Sequence, residues 1–330
     1  MNTRVILSSR PTGEATRDCF SVKTEELEDL PQDMVRVAVE YISVDAGTRT
    51  MLKGEGFHNQ VGMGDTVLAG GVGRIIASNA DGWEVGQAVR GRLCAQTIAT
   101  VSPTELEHID EAAPISSHLG ILSPSTGVTA WIGMRNVAKP AAGDTFVVSA
   151  AAGAVGSIVG QIAKIDGARV IGIAGGQRKK DYLLNQLNFD EAIDYKNEDV
   201  NARLRELAPE GVNVFFDNVG GPVLDAVLDN LAMRARVVIC GAVSQYNDMD
   251  NVTGPAMYLR LAERQSTMEG FAFFHFPESF AAAATELAQW QADGRVVLPE
   301  EILEGIERYP EALEFMFAGG NLGKLLVKAS

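Results

Sequence analysis

The sequence is poor in the residues that hold metals or staple small folds. Its 330 residues include three cysteines and four histidines. Cys19, Cys94 and Cys240 are far apart, odd in number and form no C-x-x-C pair, so neither a disulfide framework nor a structural zinc site is indicated. His58, His108, His118 and His275 show no metal-ligand spacing, and no metal is expected. No window reaches the roughly 18 uninterrupted apolar residues of a membrane span, and "MNTRVILSSRPTGEA" lacks the long apolar core of a signal peptide. A soluble, cytoplasmic protein with no membrane partner is the expectation. An extended basic stripe is also missing: the formal net charge is −15, with 28 Lys and Arg dispersed among 43 acidic residues. Such a surface attracts polyanions weakly, so nucleic acid is not an expected partner.

What is present is a globular composition, 46% hydrophobic, on a chain long enough for two domains. Residues 1–121 read as short strand-like segments broken by glycine: 34–44, 66–78 around a Gly-Gly turn, and 86–102. A compact β-rich domain follows. From residue 122 to 294 the pattern becomes alternating buried strands and helices, an α/β arrangement with a doubly wound parallel sheet. Strands are expected at 145–150, 168–174, 212–217, 235–241 and 267–274. Helices are expected near 154–166, 178–188, 199–208, 221–233, 254–265 and 278–293. After 294 come strand-like "RVVLP" and "GKLLVKAS" around a helix at 309–318. Residues 295–330 are therefore expected to rejoin the first domain, leaving the α/β domain as an insertion.

The stretch "SAAAGAVGSIVGQIAK" (149–164) sits between a strand and a helix within a βαβ unit of about 30 residues, the context of a dinucleotide-binding turn. Gly153 lets backbone approach a pyrophosphate, and Gly156 lets the helix pack on its strand. Ala151 replaces the first glycine of G-x-G-x-x-G, which is tolerable while its φ stays negative. An NAD site would place Asp or Glu at the end of the second strand. Here "GIAGGQRKKDY" offers Arg178, Lys179 and Lys180 instead, cations suited to a 2′-phosphate. NADP(H) is the expected cofactor. Ligands in such sheets bind outside the carboxyl ends of the strands, which brings Asn218, Gly241, Ser244 and Tyr246 into consideration.

Seven motifs occur in order: "AAAGAVGSIVGQIAK", "VIGIAGGQRK", "AIDYK", "FFDNVGG", "ICGAVSQYN", "MEGF" and "GGNLGKLLVKAS". With them the chain resembles the zinc-independent medium-chain dehydrogenase/reductases, in particular the group of prostaglandin reductases (leukotriene B4 12-hydroxydehydrogenases) and double-bond reductases. The resemblance implies a GroES-like catalytic domain built from both chain ends and an inserted Rossmann domain. It places Gly153, Ala154, Val155 and Gly156 at the pyrophosphate and Lys179 at the 2′-phosphate, beside Arg178. Tyr195 and Asn218 would line the cofactor groove. Cys240, Gly241, Ala242, Val243, Ser244 and Tyr246 would flank the nicotinamide, as would Phe271 and Phe273 in the 271–277 segment, and Asn321 would reach it from the returning tail. The Gly-His-Glu motif and four-cysteine lobe of zinc-dependent members are missing from the sequence.

The chemistry so implied is reduction of a carbon–carbon double bond conjugated to a carbonyl, with Tyr246 as catalytic residue orienting the substrate oxygen. The α-carbon proton could come from Tyr246, a ribose hydroxyl or water. A quinone reductase on the same cofactor site is the alternative, and a non-catalytic NADPH-binding sensor a further one. A homodimer is also implied, with "TMEGFAFF" as the pairing edge. The substrate side departs from the group: Gly47 in "SVDAGTR" stands where a tyrosine is usual, "AGGVGR" lacks the group's aromatic, and "STG" (125–127) replaces Met-Pro-Gly. Phe57, His58, Trp131, Met257, Phe273 and Phe274 are candidate walls of an altered pocket.

Overall fold

The computed structural model describes residues 1–56 and 58–329; Phe57, one of the candidate pocket residues, lies outside them. Strands dominate the first 120 residues. They are β1 (Asn2–Leu7), β2 (Phe20–Glu25), β3 (Val35–Ser43), β4 (Gly71–Ser78), β5 (Ala88–Gly91), β6 (Ile98–Val101) and β7 (Leu106–His108), with one short helix, α1 (Thr48–Met51). In β3, Val35, Val37 and Val39 are buried while Arg36, Ala38 and Glu40 are not, the period of two expected of a strand with one face in a core. The β1–β2 hairpin escaped the sequence reading.

The middle of the chain contains α2 (Thr129–Ile132), β8 (Thr145–Ser149), α3 (Ala154–Ile165), β9 (Arg169–Ala174), α4 (Gln177–Asn185) and β10 (Glu191–Asp194). It continues with α5 (Val200–Leu207), β11 (Val212–Asp217), α6 (Gly221–Leu228), β12 (Leu231–Ile239), α7 (Leu259–Glu263), β13 (Thr267–Gly270) and α8 (Phe280–Ala292). The chain then returns through β14 (Glu300–Glu304), α9 (Tyr309–Phe317) and β15 (Lys324–Lys328). Two compact units result: one combines Met1–Gly120 with the chain from Glu300 onward, and the other is Ile121–Pro299.

In the first unit a seven-stranded sheet runs β14-β15-β3-β4-β5-β7, with β6 also paired to β3. In the second a six-stranded sheet runs β10-β9-β8-β11-β12-β13, and its neighbouring strands pair in parallel. The strand order reverses between β8 and β11, which makes the carboxyl ends of those strands the place for a ligand. Phe146, Val147 and Val148 of β8 and Val214, Phe215 and Phe216 of β11 are all fully buried, which explains why these strands are continuously apolar in sequence.

Several sequence boundaries move. The second unit extends to Pro299, not 294, because "RVVLP" is not a strand. Val296 is fully buried, and the Gln161 side chain bonds Val297 in both directions, at 2.9 Å each. At the other end the division falls after Gly120 instead of 121. The helix expected over 221–233 ends at Leu228, where the Asn230 amide donates to the Ala226 carbonyl at 2.7 Å, and Leu231 already belongs to a strand. Only 259–263 of the helix expected at 254–265 is regular. The edge strand expected over 267–274 pairs only through Gly270, after which Phe273–His275 forms a 3-10 turn.

Candidate active site

The β8–α3 turn occupies the carboxyl end of the central strand. Gly153 is the N-cap of α3 with extended φ and ψ; among the described residues no side chain caps this end, and no acid lies in its first turn. Backbone N–H groups at such an end attract anions. A Cβ on Gly156 would collide with the Ala150 carbonyl, so the helix approaches its strand only with glycine there. Ala154 and Val155 are half-buried at the open end of the helix. Strain falls on Ala150, whose φ is +47°, and not on Ala151. Ala151 keeps negative φ, donates its N–H to the Ile173 carbonyl at 3.0 Å and is fully buried. Its methyl has room because the neighbouring strand offers Gly172, where a Cβ would stand 3.0 Å from that of Ala151 and 2.7 Å from Leu183.

The basic cluster begins one strand away. Arg178 is exposed and Lys179 half-buried on the first turn of α4, while Lys180 pairs with Glu198 at 3.0 Å. The Tyr195 ring lies 2.9 Å from where a Cβ on Gly175 would stand, so Tyr195 joins Arg178 and Lys179 at the end of β9. An acid is close by, but turned inward. Asp194 accepts from the Gly176 N–H at 2.7 Å, the Lys196 N–H at 3.1 Å and the Asn197 amide at 2.7 Å. Burial opposes its ionisation, yet these bonds outweigh that and hold the carboxyl below the usual carboxylate range.

The third group of residues sits beyond β11 and β12. Asp217 is fully buried and accepts from the Ser149 hydroxyl at 2.7 Å, the Val219 N–H at 3.0 Å and the Gly220 N–H at 3.0 Å. The Asn218 amide donates to the Ser149 carbonyl at 2.8 Å. Its carbonyl accepts from the Val243 N–H at 3.1 Å, and that of Val219 accepts from the Ser244 hydroxyl at 2.6 Å. The Tyr246 hydroxyl accepts from the Ala242 N–H at 3.3 Å, which leaves its own hydrogen available to donate. Burial, partly opposed by that bond and reinforced by Cys240 and Asp217, raises its pKa above the ordinary phenol value. Burial, reinforced by Asp217, likewise pushes the Cys240 thiol up to about 12, which keeps it protonated at ordinary pH.

Phe271 follows β13 and meets Phe216 edge-on at 6.1 Å between centroids; Phe273 contacts Phe274 and Phe280. Asn321 belongs to the other compact unit, where its amide donates to the Gly323 carbonyl at 3.1 Å. Two candidate pocket walls have further contacts. The half-buried Trp131 donates its ring N–H to Glu286 of α8, and Met257, also half-buried, packs against the core of the second unit while lining a surface cavity with Tyr195 and Asp225. His58 shares a 2.7 Å hydrogen bond with Thr50. Sequence reasoning passed over Ser149, Asp194 and Asp217; "FFDNVGG" contained a signal for Asp217, a carboxylate ending an otherwise apolar strand.

An uncapped helix start, glycine clearance at 156 and cations on α4 suit a phosphate-bearing dinucleotide with an extra phosphate. Comparison with known proteins agrees. Residues 154–290 match a family model described as zinc-binding dehydrogenase, and residues 3–109 one described as the N-terminal domain of oxidoreductase. The chain is 41% identical to a putative NADP-dependent oxidoreductase, YfmJ, of Bacillus subtilis, covering 99% of this chain and 97% of that one. The chain belongs to the zinc-independent medium-chain dehydrogenase/reductases. A family member from Nicotiana tabacum, 2-alkenal reductase (NADP(+)-dependent), is 34% identical over 100% of this chain and 98% of its own. Among solved structures, CurA from Vibrio vulnificus in complex with NADPH superposes with a TM-score of 0.93 at 34% identity, covering 99% of each chain.

Proposed function

We propose that this medium-chain reductase adds hydride to the β-carbon of an α,β-unsaturated aldehyde or ketone, with Tyr246 as the donor that orients the carbonyl oxygen. It is an NADP-dependent oxidoreductase acting on carbon–carbon double bonds, and reduction of enals and enones is its general reaction. When bound, NADPH supplies the hydride. The α,β π electrons then move to the carbonyl, giving an enolate that must be stabilised until the α-carbon takes a proton. The observation that carries the reading is the Tyr246 hydroxyl. It is neutral at ordinary pH and held by the Ala242 N–H, an oriented donor of the kind a developing oxyanion needs.

In this assignment the first turn of α3 from Gly153 to Gly156 holds the pyrophosphate, and Arg178 and Lys179 the 2′-phosphate. Tyr195 and Asn218 line the groove, and the 240–246 loop with Phe271 and Phe273 flanks the nicotinamide. The test is loss of NADPH absorbance with 2-alkenals, enones and quinones in parallel. Turnover of conjugated aldehydes or ketones, with Tyr246→Phe lowering kcat, is the expected result. Quinone-only activity overturns the double-bond assignment, and tight NADPH binding without turnover of any acceptor overturns the enzymatic one.

A further inference from the structure

We propose that Asp217 is a positioning residue for Tyr246, acting through the 218–220 turn. The inference rests on the assignment of the 240–246 loop to the nicotinamide end. The carboxylate shapes the turn by accepting from the Val219 and Gly220 N–H groups, and it is anchored to the end of β8 through the Ser149 hydroxyl. Ser149 returns the tie by accepting the Asn218 N–H at 2.8 Å. Every step outward from this turn uses its backbone. The Asp217 carbonyl accepts from the Cys240 N–H at 2.9 Å and the Gly241 N–H at 3.2 Å, that of Asn218 from Val243, and that of Val219 from Ser244 at 3.2 Å. The loop so fixed presents the Ala242 N–H to the Tyr246 hydroxyl.

A buried carboxylate is an expensive way to build a turn. Burial raises the Asp217 carboxyl above its usual range against the pull of its hydrogen bonds, and an ionised group in an apolar setting carries a large desolvation cost. An apolar residue would pack at less cost, but it would leave the Val219 and Gly220 donors without their acceptor. The carboxylate therefore sets where the 240–246 loop stands relative to the glycine turn after β8.

The test compares wild type with Asp217→Asn and Ser149→Ala, reading melting temperature, affinity for NADPH, affinity for adenosine 2′,5′-bisphosphate, and kcat. The bisphosphate carries the adenine end and the 2′-phosphate but no nicotinamide. Both variants are expected to weaken NADPH binding by about tenfold, the change that matches loss of one buried hydrogen-bond partner, while bisphosphate affinity stays unchanged. If the two ligands weaken in proportion, or if melting falls with neither affinity changed, the positioning role is overturned. Should Asp217→Asn fail to fold, Ser149→Ala carries the same comparison. Tyr246→Phe separates the two readings: normal binding and turnover in that variant removes the role of Tyr246 whatever Asp217 does.

Discussion

At the scale of single residues, the glycine fingerprint is redistributed and not lost. Ala151 occupies the first glycine position without strain, while its neighbour Ala150 adopts φ +47°. Left-handed backbone costs an L residue about 1–2 kcal/mol, and the unfolded-state freedom of glycine returns about 0.4–1 kcal/mol of that. Ala150→Gly is therefore expected to raise stability by about 0.5–1 kcal/mol, read as a higher urea midpoint at unchanged m-value. The methyl of Ala151 depends on Gly172. Gly172→Ala is expected to cost about 1–3 kcal/mol by overpacking, and Ala151→Gly in that background to recover part of it; a purely additive double variant would remove the coupling. Tyr246 gives a pH statement. Its phenol is raised above 10, so the neutral donor persists through that value and turnover should show no alkaline limb from Tyr246 below it. A limb near pH 9 that disappears in Tyr246→Phe would contradict this.

At the scale of elements, the proposed basis of the cofactor choice is α4. Cations at a helix N-terminus oppose its dipole, and Asp194, the nearby acid on β10, is occupied by the Gly176, Lys196 and Asn197 donors. Replacing Arg178 and Lys179 together by Ala is expected to weaken NADPH by about 2–4 kcal/mol, two charge-assisted contacts at the usual magnitude. NADH affinity should change little; equal losses for both cofactors would refute a 2′-phosphate contact. Why α4 was legible while β10 was not is a matter of local signal. "QRKK" is a charge cluster visible in four letters, whereas the four-residue strand "EAID" owes its conformation to pairing with β9, a long-range contact with no periodicity of its own. The β1–β2 hairpin escaped for the same reason, since the twelve residues "SSRPTGEATRDC" (8–19) between its strands read as loop, and Arg49, far along the chain, holds that loop through the Gly13 carbonyl at 2.7 Å. The candidate site was legible through residue types suited to meeting a ligand, such as Arg178, Lys179 and Tyr246. Ser149 and Asp217, which offer their side chains to the backbone, became visible only once the loops were placed.

At the scale of the whole molecule, the two edges of the parallel sheet differ. β10 opens on Glu191, 3.8 Å from Arg169, with Asp190 just before it, and charged edges resist pairing. β13 is exposed along Thr267–Gly270, with Met268 at 39%, and Tyr258 and Leu259 earlier in the same segment are 64% and 61% exposed. An open edge beside exposed apolar side chains is an aggregation hazard unless another chain covers it. We propose a homodimer formed through β13, the edge that the family resemblance implies. Light scattering is expected to give twice the 35.2 kDa of one chain. Met268→Lys should shift the protein toward monomer while leaving its affinity for adenosine 2′,5′-bisphosphate intact, because Arg178 and Lys179 stand at the far side of the sheet order, beyond β9. A monomer at all accessible concentrations would sink the proposal, and a dimer indifferent to Met268→Lys would move the interface away from this edge.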